Sequence, residues 1–339
     1  MKSRQYISQN VSRRSPIASK GFGYVAALGL LSVSLVAGGC TVAQGTNMTK
    51  GASCFQKYPD FTRPKADAVI PRLTNGASGR NIYDAVMAGD RETVANMIET
   101  DPRLLTTRVP PRPYPEGPKD GEYGDLLAFA VANCDLNMAQ TLIDGGMSAD
   151  GASPGAALLI ALHADEPTMA QYLFEKGASA NPETKPEGVE VASSALLFGN
   201  LGGFMMLIRN GLDVKKADSL GRTILHGAVN ADQYAIAEEL IKAGANPWQA
   251  NNYGGVAARQ IYDGMAIERE PDISAQRRLL STLQKGDLPW PPPSAVEVRT
   301  KVVSGDWPTA GYTKAGFVIS PEVVAYIKAH YGEDGKPKR

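Results

Sequence analysis

Cysteine and histidine are scarce in this sequence, with three of each among 339 residues. Three cysteines are too few for a disulfide-based scaffold. The sequence contains neither a Cys-x-x-Cys pair nor a His-Glu-x-x-His motif, so it offers no metal-binding pattern. A serine or cysteine nucleophile would need a base placed beside it, and nothing in the sequence indicates one. These absences predict a protein without a metal, a cofactor or enzymatic activity.

The sequence also has no excess of either charge. Thirty-five basic residues balance 35 acidic ones, and the isoelectric point is near 6.8. Nucleic-acid binding depends on a field of lysine and arginine, so that class of partner is excluded. The apolar content of 43% is ordinary for a folded soluble protein.

The first forty residues have the pattern of an export signal. A basic leader precedes the uncharged stretch Gly21 to Gly39, and Cys40 follows at once. Ala37-Gly38-Gly39-Cys40 resembles a bacterial lipoprotein box, which implies lipidation at Cys40 and a periplasmic chain tethered to a membrane. Thr41 then favours the outer membrane. The alternative is an uncut membrane anchor, because the apolar run is about the ~20 residues that a span needs.

A repeated pattern organises the rest of the chain, and it is clearest from Asp218 to Gly255. Two short apolar faces follow one another there, separated by a polar break, and Gly244 stops the second. Glycines recur at equivalent positions and at nearly equal intervals towards the N terminus, in Gly211, Gly177 and Gly146. Such a period indicates stacked helix–turn–helix units.

Alanines and pairs of large apolar residues recur at regular distances before the positions that end the second helices. An alanine precedes each stop position by the same interval, where two helices must approach closely: Ala85, Ala130, Ala161, Ala195 and Ala228. Adjacent large apolar pairs in the second helices are predicted to form the core: Met97 and Ile98, Leu142 and Ile143, Leu173 and Phe174, Leu207 and Ile208, and Leu240 and Ile241.

Gly221-Arg222-Thr223-Ile224-Leu225-His226-Gly227-Ala228 resembles the opening of an ankyrin repeat, with Ile224 in place of the usual proline. The resemblance implies an all-α ankyrin-repeat solenoid of about six units over residues 74–285. Residues 1–39 would be the signal peptide, 40–73 a flexible tether, and 286–339 a small, irregular, Pro-rich extension. It further implies that His226 hydrogen-bonds neighbouring repeats, and that loop tips and first-helix ends bind a protein partner.

Two insertions interrupt the period, at 108–124 and 181–188, and insertions in solenoids often lie on the binding face. They can equally be neutral surface loops. The predicted partner-binding residues are Glu122, Tyr123, Ser153, His163, Glu187, Phe198, Leu220, Arg222, Asn230 and Tyr253. Tyr123, Arg222 and Tyr253 lead this set, because exposed tyrosine and arginine dominate binding energies. Packing between units is an equal alternative for Phe198 and Leu220.

The sequence of the extension, residues 286–339, predicts several local features. Trp290, in a proline-rich stretch, is expected to pack back on the last helices. Val296–Val303 alternates like an edge strand, Ser320 caps a final helix over Val323–His330, and the end beyond Gly332 is expected to fray. Separately, the exported location permits a disulfide between Cys54 and Cys134, although two separate thiols are an equal alternative.

Together these patterns predict a tethered binding protein without catalysis. One concrete form is an immunity protein that neutralises a toxic secreted enzyme of the cell envelope. The alternative is an accessory factor that supports a periplasmic enzyme or stress defence. Either way the partner is a protein, and neither nucleic acid nor a small-molecule cofactor is expected.

Overall fold

The computed structural model describes residues 66–110, 124–164, 166–182, 190–198, 200–264, 269–286, 288–307 and 319–338, without the side chains of Leu197 and Phe198. Residues 50–339 form one compact unit. Residues 1–65, which include the predicted lipidation site Cys40, lie outside the described residues. The signal peptide and tether therefore stay predictions.

Twelve of the described helices form six antiparallel pairs, which we call units 1 to 6. A short helix α1 (Ala66–Val69) precedes them. The pairs are α2 (Gly76–Ala88) with α3 (Arg91–Thr100), α4 (Leu126–Ala132) with α5 (Leu136–Asp144), α6 (Ala156–His163) with α7 (Pro167–Glu175), α8 (Val191–Phe198) with α9 (Leu201–Arg209), α10 (Ile224–Asn230) with α11 (Tyr234–Lys242), and α12 (Ala257–Asp263) with α13 (Asp272–Gln284). The predicted all-α solenoid of about six ankyrin-like units is confirmed.

The first helix of each unit stacks on the first helix of the next, in one row from α2 to α12. The five alanines predicted at these contacts are all buried, and Ala130, Ala161 and Ala228 are fully so. A larger side chain at these positions would hold neighbouring helices apart. The alanine spacing thus correctly located the inner row.

In the second helices, only some of the large apolar residues that were predicted to form the core are buried. Ile98, Leu142, Leu173, Leu207 and Leu240 are buried, whereas their neighbours Met97, Ile143, Ile208 and Ile241 are only partly covered. Residues one turn earlier complete the core instead, among them Val94, Met138 and Phe204. Neighbouring residues on a helix point about 100° apart, so one member of each of these four pairs faces partly outward, whereas Leu173 and Phe174 are both buried as predicted.

A hairpin turn, which we call a finger, precedes the first helix of a unit. In unit 2 it is a two-stranded ladder, β1 (Arg108–Val109) antiparallel to β2 (Gly124–Asp125). In unit 5 a bridge joins Ala217 to Thr223 (finger 5), and in unit 6 a bridge joins Ala250 to Val256 (finger 6). Most of the first insertion lies between the two strands of the finger of unit 2. The second insertion comes shortly before α8 of unit 4.

The extension beyond the repeats contains helix where a strand was predicted. Residues Ala295–Ser304 form α14, and Pro321–His330 form α15. Ser294 and Glu297 make a reciprocal capping box that starts α14. Val298 and Val302, four residues apart, are both buried on one helical face. The edge-strand prediction was therefore wrong, because the cap and the i,i+4 spacing outweigh the apparent alternation of valines.

Removing the cap of α14 tests this correction. Ser294→Ala is expected to lower the free energy of unfolding by about 1 kcal/mol, because the amide of Glu297 loses its acceptor. Urea denaturation followed by circular dichroism would measure the change. Ser281→Ala, at an exposed position within α13, is the control and should change stability by less than about 0.5 kcal/mol. Equal effects of the two substitutions would contradict the role of the cap.

The other described parts of the extension, residues 288–294 and 319–338, also have defined contacts. Ser320 caps α15 by accepting a hydrogen bond from the amide of Val323, as predicted. Trp290 meets the ring of Tyr262 edge to face, with centroids 5.3 Å apart, so it does pack on α12. The end does not fray, because Tyr331 bridges to Pro337 and the amide of Lys338 bonds to the His330 carbonyl. Among the described helices, we find none with the length and apolarity that crossing a membrane requires.

Candidate protein-binding surface

Finger 5 is held in shape by Asp218. Its carboxylate accepts hydrogen bonds from the amides of Leu220 and Arg222, each at 2.9 Å, and pairs with the Arg222 guanidinium at 2.7 Å. Burial acts to raise the pKa of Asp218, but these bonds outweigh it, and the pKa is lowered. The Arg222 side chain is exposed at the surface of the finger.

Finger 6 repeats this arrangement with an amide in place of the carboxylate. Asn251 Oδ1 accepts from the amides of Tyr253 at 2.9 Å and Gly255 at 3.0 Å. The Tyr253 side chain stands at the tip and is 45% exposed. The two fingers are joined directly, because the Asn252 amide donates to the Leu220 carbonyl at 2.9 Å. Arg222 and Tyr253 therefore share one connected, pre-formed surface.

His226 ties finger 5 to the body of the repeats. The Thr223 amide donates to His226 Nδ1 at 3.1 Å, within a capping box at the start of α10. Burial lowers the pKa of His226, and the nearby backbone of Gly255 and Gln249 in the next unit opposes that shift. The histidine is thus a buried structural residue of its own unit, but its Nε2 has no hydrogen-bond partner among the described residues, so the predicted bond to a neighbouring repeat is not seen.

In unit 2, Asp125 is the N-cap residue of the first helix, as Thr223 is in unit 5. It directly follows the first insertion. It caps α4 by accepting from the Ala128 amide at 2.8 Å, and its other oxygen accepts from the Ser153 amide of unit 3 at 2.6 Å. Burial raises the pKa of Asp125 to about 6, against the lowering effect of these backbone hydrogen bonds. Asp125 was not among the predicted site residues, although an aspartate directly before an apolar helix is a cap signal.

The predicted partner-binding residues divide into several groups. Glu122, Tyr123 and Glu187, and the side chain of Phe198, lie outside what the structure describes. Exposed side chains belong to Arg222, Tyr253 and Asn230, but Asn230 lies at the far end of α10 and accepts a bond from Gln260 at 2.7 Å. His163 and Leu220 are half-buried. The backbone of Leu220 joins the two fingers by accepting a hydrogen bond from the Asn252 amide.

Ser153 is a correction to the predicted surface. It is 1% exposed, so its side chain is not accessible to a partner. Gly151-Ala152-Ser153-Pro154-Gly155 also matches, in letters, the Gly-x-Ser-x-Gly pattern of serine hydrolases, which the sequence-based predictions missed. That motif requires an exposed serine on a strand-to-helix turn with a base beside it. Here the serine is buried in a turn, and its hydroxyl has no hydrogen-bond partner among the described residues.

Arg222→Ala is a suitable probe of this surface, because its ion pair is solvent-exposed and exposed pairs contribute little to stability. We expect the free energy of unfolding to change by less than about 0.5 kcal/mol. Asp218→Ala should cost about 1 kcal/mol or more, since two finger amides lose their acceptor. Urea denaturation of both variants measures the difference, and a larger loss for Arg222→Ala would contradict this account.

The described residues contain no group of three or more histidine, cysteine or acidic side chains placed to hold a metal ion. Cys134, half-buried in the turn between α4 and α5, is in a disulfide. Both other cysteines lie outside the described residues. Its pairing with Cys54 therefore stays a prediction.

Comparison with known proteins agrees with this geometry. Residues 220–252, which hold the second half of finger 5, α10 and α11, match the family model described as the ankyrin repeat. No curated protein sequence matches. Among solved structures, the human ASB11 ankyrin repeat domain is similar, at 14% identity and a TM-score of 0.41, over 64% of this chain and 90% of that one. Ankyrin repeats generally bind proteins and are typically not catalytic. The chain thus contains an ankyrin repeat within a mostly helical repeat domain.

Proposed function

We propose that this protein is a membrane-tethered periplasmic scaffold that binds another protein and has no catalytic activity of its own. The observation that carries the proposal is the connected surface of fingers 5 and 6, which presents Arg222 and Tyr253 on a rigid support. Both residue types are common at the centres of protein interfaces. A backbone held by Asp218 and Asn251 loses little freedom on binding, so more of the contact energy appears as affinity.

In the most specific form of this proposal the partner is a toxic secreted enzyme of the cell envelope, and the protein is its immunity factor. The lipoprotein-like sequence ending at Cys40 supports this form, because a tether would keep an inhibitor where such a toxin acts. Inhibition by binding needs only a surface that covers the toxin, so it is compatible with a repeat domain that holds no active site.

Capture of the partner tests the binding role. The full chain, tagged at its C terminus, is used to isolate partners from envelope extract beside two variants. One is Tyr123→Ala/Arg222→Ala/Tyr253→Ala, and the other is the control Arg277→Ala, an exposed arginine on the outer helix α13. A stoichiometric partner retained by the control and lost by the triple variant is the expected result. A partner held equally by all three would exclude the finger surface.

The identity of the captured protein then separates the two candidate roles. A toxin whose activity is blocked at equimolar ratio supports the immunity role. A periplasmic enzyme whose activity rises in the complex, together with peroxide sensitivity of a deletion strain, supports the accessory role. Labelling with radioactive palmitate tests the tether independently, since incorporation should be lost in Cys40→Ser. Labelling of the variant would contradict the proposed lipidation.

A further inference from the structure

The finger surface is already partly occupied by the protein's own C-terminal end. We define the C-terminal hairpin as α14, α15 and the turn 331–338. The tip glycines of fingers 5 and 6, Gly221 and Gly254, lie one repeat apart at equivalent positions. A Cβ at Gly221 would lie 2.7 Å from Val323 Cγ2, and one at Gly254 would lie 2.6 Å from the Ala295 carbonyl. Both helices of the hairpin therefore press directly on a finger tip.

One arginine joins the hairpin to finger 6. Arg299 of α14 donates from Nη1 to the Tyr253 carbonyl at 2.6 Å, and from Nε to the Gly335 carbonyl at 2.7 Å. Its guanidinium also lies over the Tyr331 ring, 4.6 Å from the centroid. These contacts link the finger, the first hairpin helix and the terminal turn. Two of them are charge-assisted hydrogen bonds, which are stronger than neutral ones.

The apolar residues of the hairpin join the same buried cluster as those of the repeats, but its two helices pack mainly on each other. Among the described elements, α14 and α15 pack chiefly on each other, and neither makes comparable helix–helix packing with the repeats. Val298, Val302 and Ile327 are buried. The six units meanwhile stack through their inner helices, in a row that does not include the hairpin. A pair of helices that pack mainly on each other and meet the repeats at two finger tips can open cooperatively below the global unfolding energy.

We infer that the C-terminal hairpin is an intramolecular ligand of fingers 5 and 6, and that it opens as one unit while the repeats stay folded. Opening would uncover both finger tips beside Arg222 and Tyr253. A partner that binds the open fingers would therefore compete with the hairpin, and the closed population would lower the apparent affinity. This regulatory role rests on the proposed function. The opening itself does not, and it can be measured without a partner.

Hydrogen exchange on the full chain tests the opening. Gly254→Ala is the disrupting variant, because its Cβ would also lie 2.8 Å from Arg299 Cγ. Gly211→Ala is the matched control. Its φ of +87° is as unfavourable for alanine as the +74° of Gly254, but a Cβ there would meet nothing within 4 Å. The two substitutions share the backbone strain and differ in the collision with α14.

In the wild type, peptides from 295–304 and 319–338 should exchange together, and faster than those of α4 and α6. Gly254→Ala should speed their exchange about tenfold or more without changing α4 and α6, whereas Gly211→Ala should not change the hairpin. If Gly254→Ala does not fold, Arg299→Gln beside Arg277→Gln serves the same purpose, with about a threefold or greater effect expected. Hairpin peptides that exchange no faster than α4, or variants that loosen all units alike, would overturn the inference.

Discussion

Truncation of Phe204 to alanine is expected to lower the free energy of unfolding by about 3–5 kcal/mol. The ring is fully buried in the outer helix α9, which contacts its own unit through α8 and the next unit through α11. Its removal would leave a cavity where two units meet, and repeat domains draw much of their stability from such interfaces. The loss should therefore exceed that expected from lost apolar burial alone.

Ile208→Ala is the matched control, because Ile208 lies one turn further along α9 and is only partly buried. Its expected cost is about 1–2 kcal/mol. Urea denaturation monitored by circular dichroism compares the two variants at equal protein concentration. A loss at Ile208 as large as that at Phe204 would mean that α9 presents a different face to the core.

The sequence pattern alone did not predict which apolar side chains of α9 are buried. Leu207 and Ile208 are both large and apolar, so a reading by residue type alone placed both in the core. The choice between them depends on which way α9 is rotated, and that is decided by its contacts with α8 and α11. Phe204 lies three residues before Leu207 and four before Ile208, so the 3.6-residue period would have placed it in the core, but it would not have separated Leu207 from Ile208.

The row of first helices was easier to predict, because adjacent helices can approach closely only where the side chain at the contact is small. Only a small side chain permits adjacent first helices to approach, and Ala130, Ala161 and Ala228 satisfied that condition at fixed spacing. The turn residues of fingers 5 and 6 were also predictable, since Gly221 and Gly254 mark them at the same point of successive repeats. Local geometry and repetition were enough for these features.

The candidate site depended on contacts between segments distant in the sequence. Arg222 and Tyr253 were identified correctly as exposed finger residues, but the position of the hairpin on the finger tips was not foreseen. The prediction that Ser153 contacts a partner was wrong for the same reason. Its turn resembles other fingers in sequence, yet its backbone is drawn to the carboxylate of Asp125 in the preceding unit. Sequence spacing places a residue in a turn, but burial depends on what the next unit brings to it.

Asp125 provides the second large expected effect. In Asp125→Ala, the amides of Ala128 and Ser153 lose their acceptor in a region closed to water. Each unsatisfied buried amide costs about 1–3 kcal/mol, and removing a buried charge at pH 7 offsets part of that. We expect a net loss of about 2–4 kcal/mol at pH 7 by urea denaturation. No loss would mean that water replaces the carboxylate.

The pH dependence of the wild type follows from the same residue. The folded-state pKa of Asp125 is raised from 3.8 to about 6, so the folded state binds a proton that the unfolded state releases. Its contribution to stability is therefore fully present below about pH 4 and is lost as pH rises through 6. Between pH 5 and pH 7 the wild type should lose about 1 kcal/mol from this group.

Two variants separate Asp125 from other titrating groups. Asp125→Asn cannot ionise, so its stability curve should lack this slope between pH 5 and pH 7, while Asp218→Asn should retain it, because the pKa of Asp218 is lowered and lies below that range. An unchanged slope in Asp125→Asn would assign the titration elsewhere. Since Asp125 also joins unit 2 to unit 3 by accepting a hydrogen bond from the Ser153 amide, the slope would report the pH dependence of a contact between these two units.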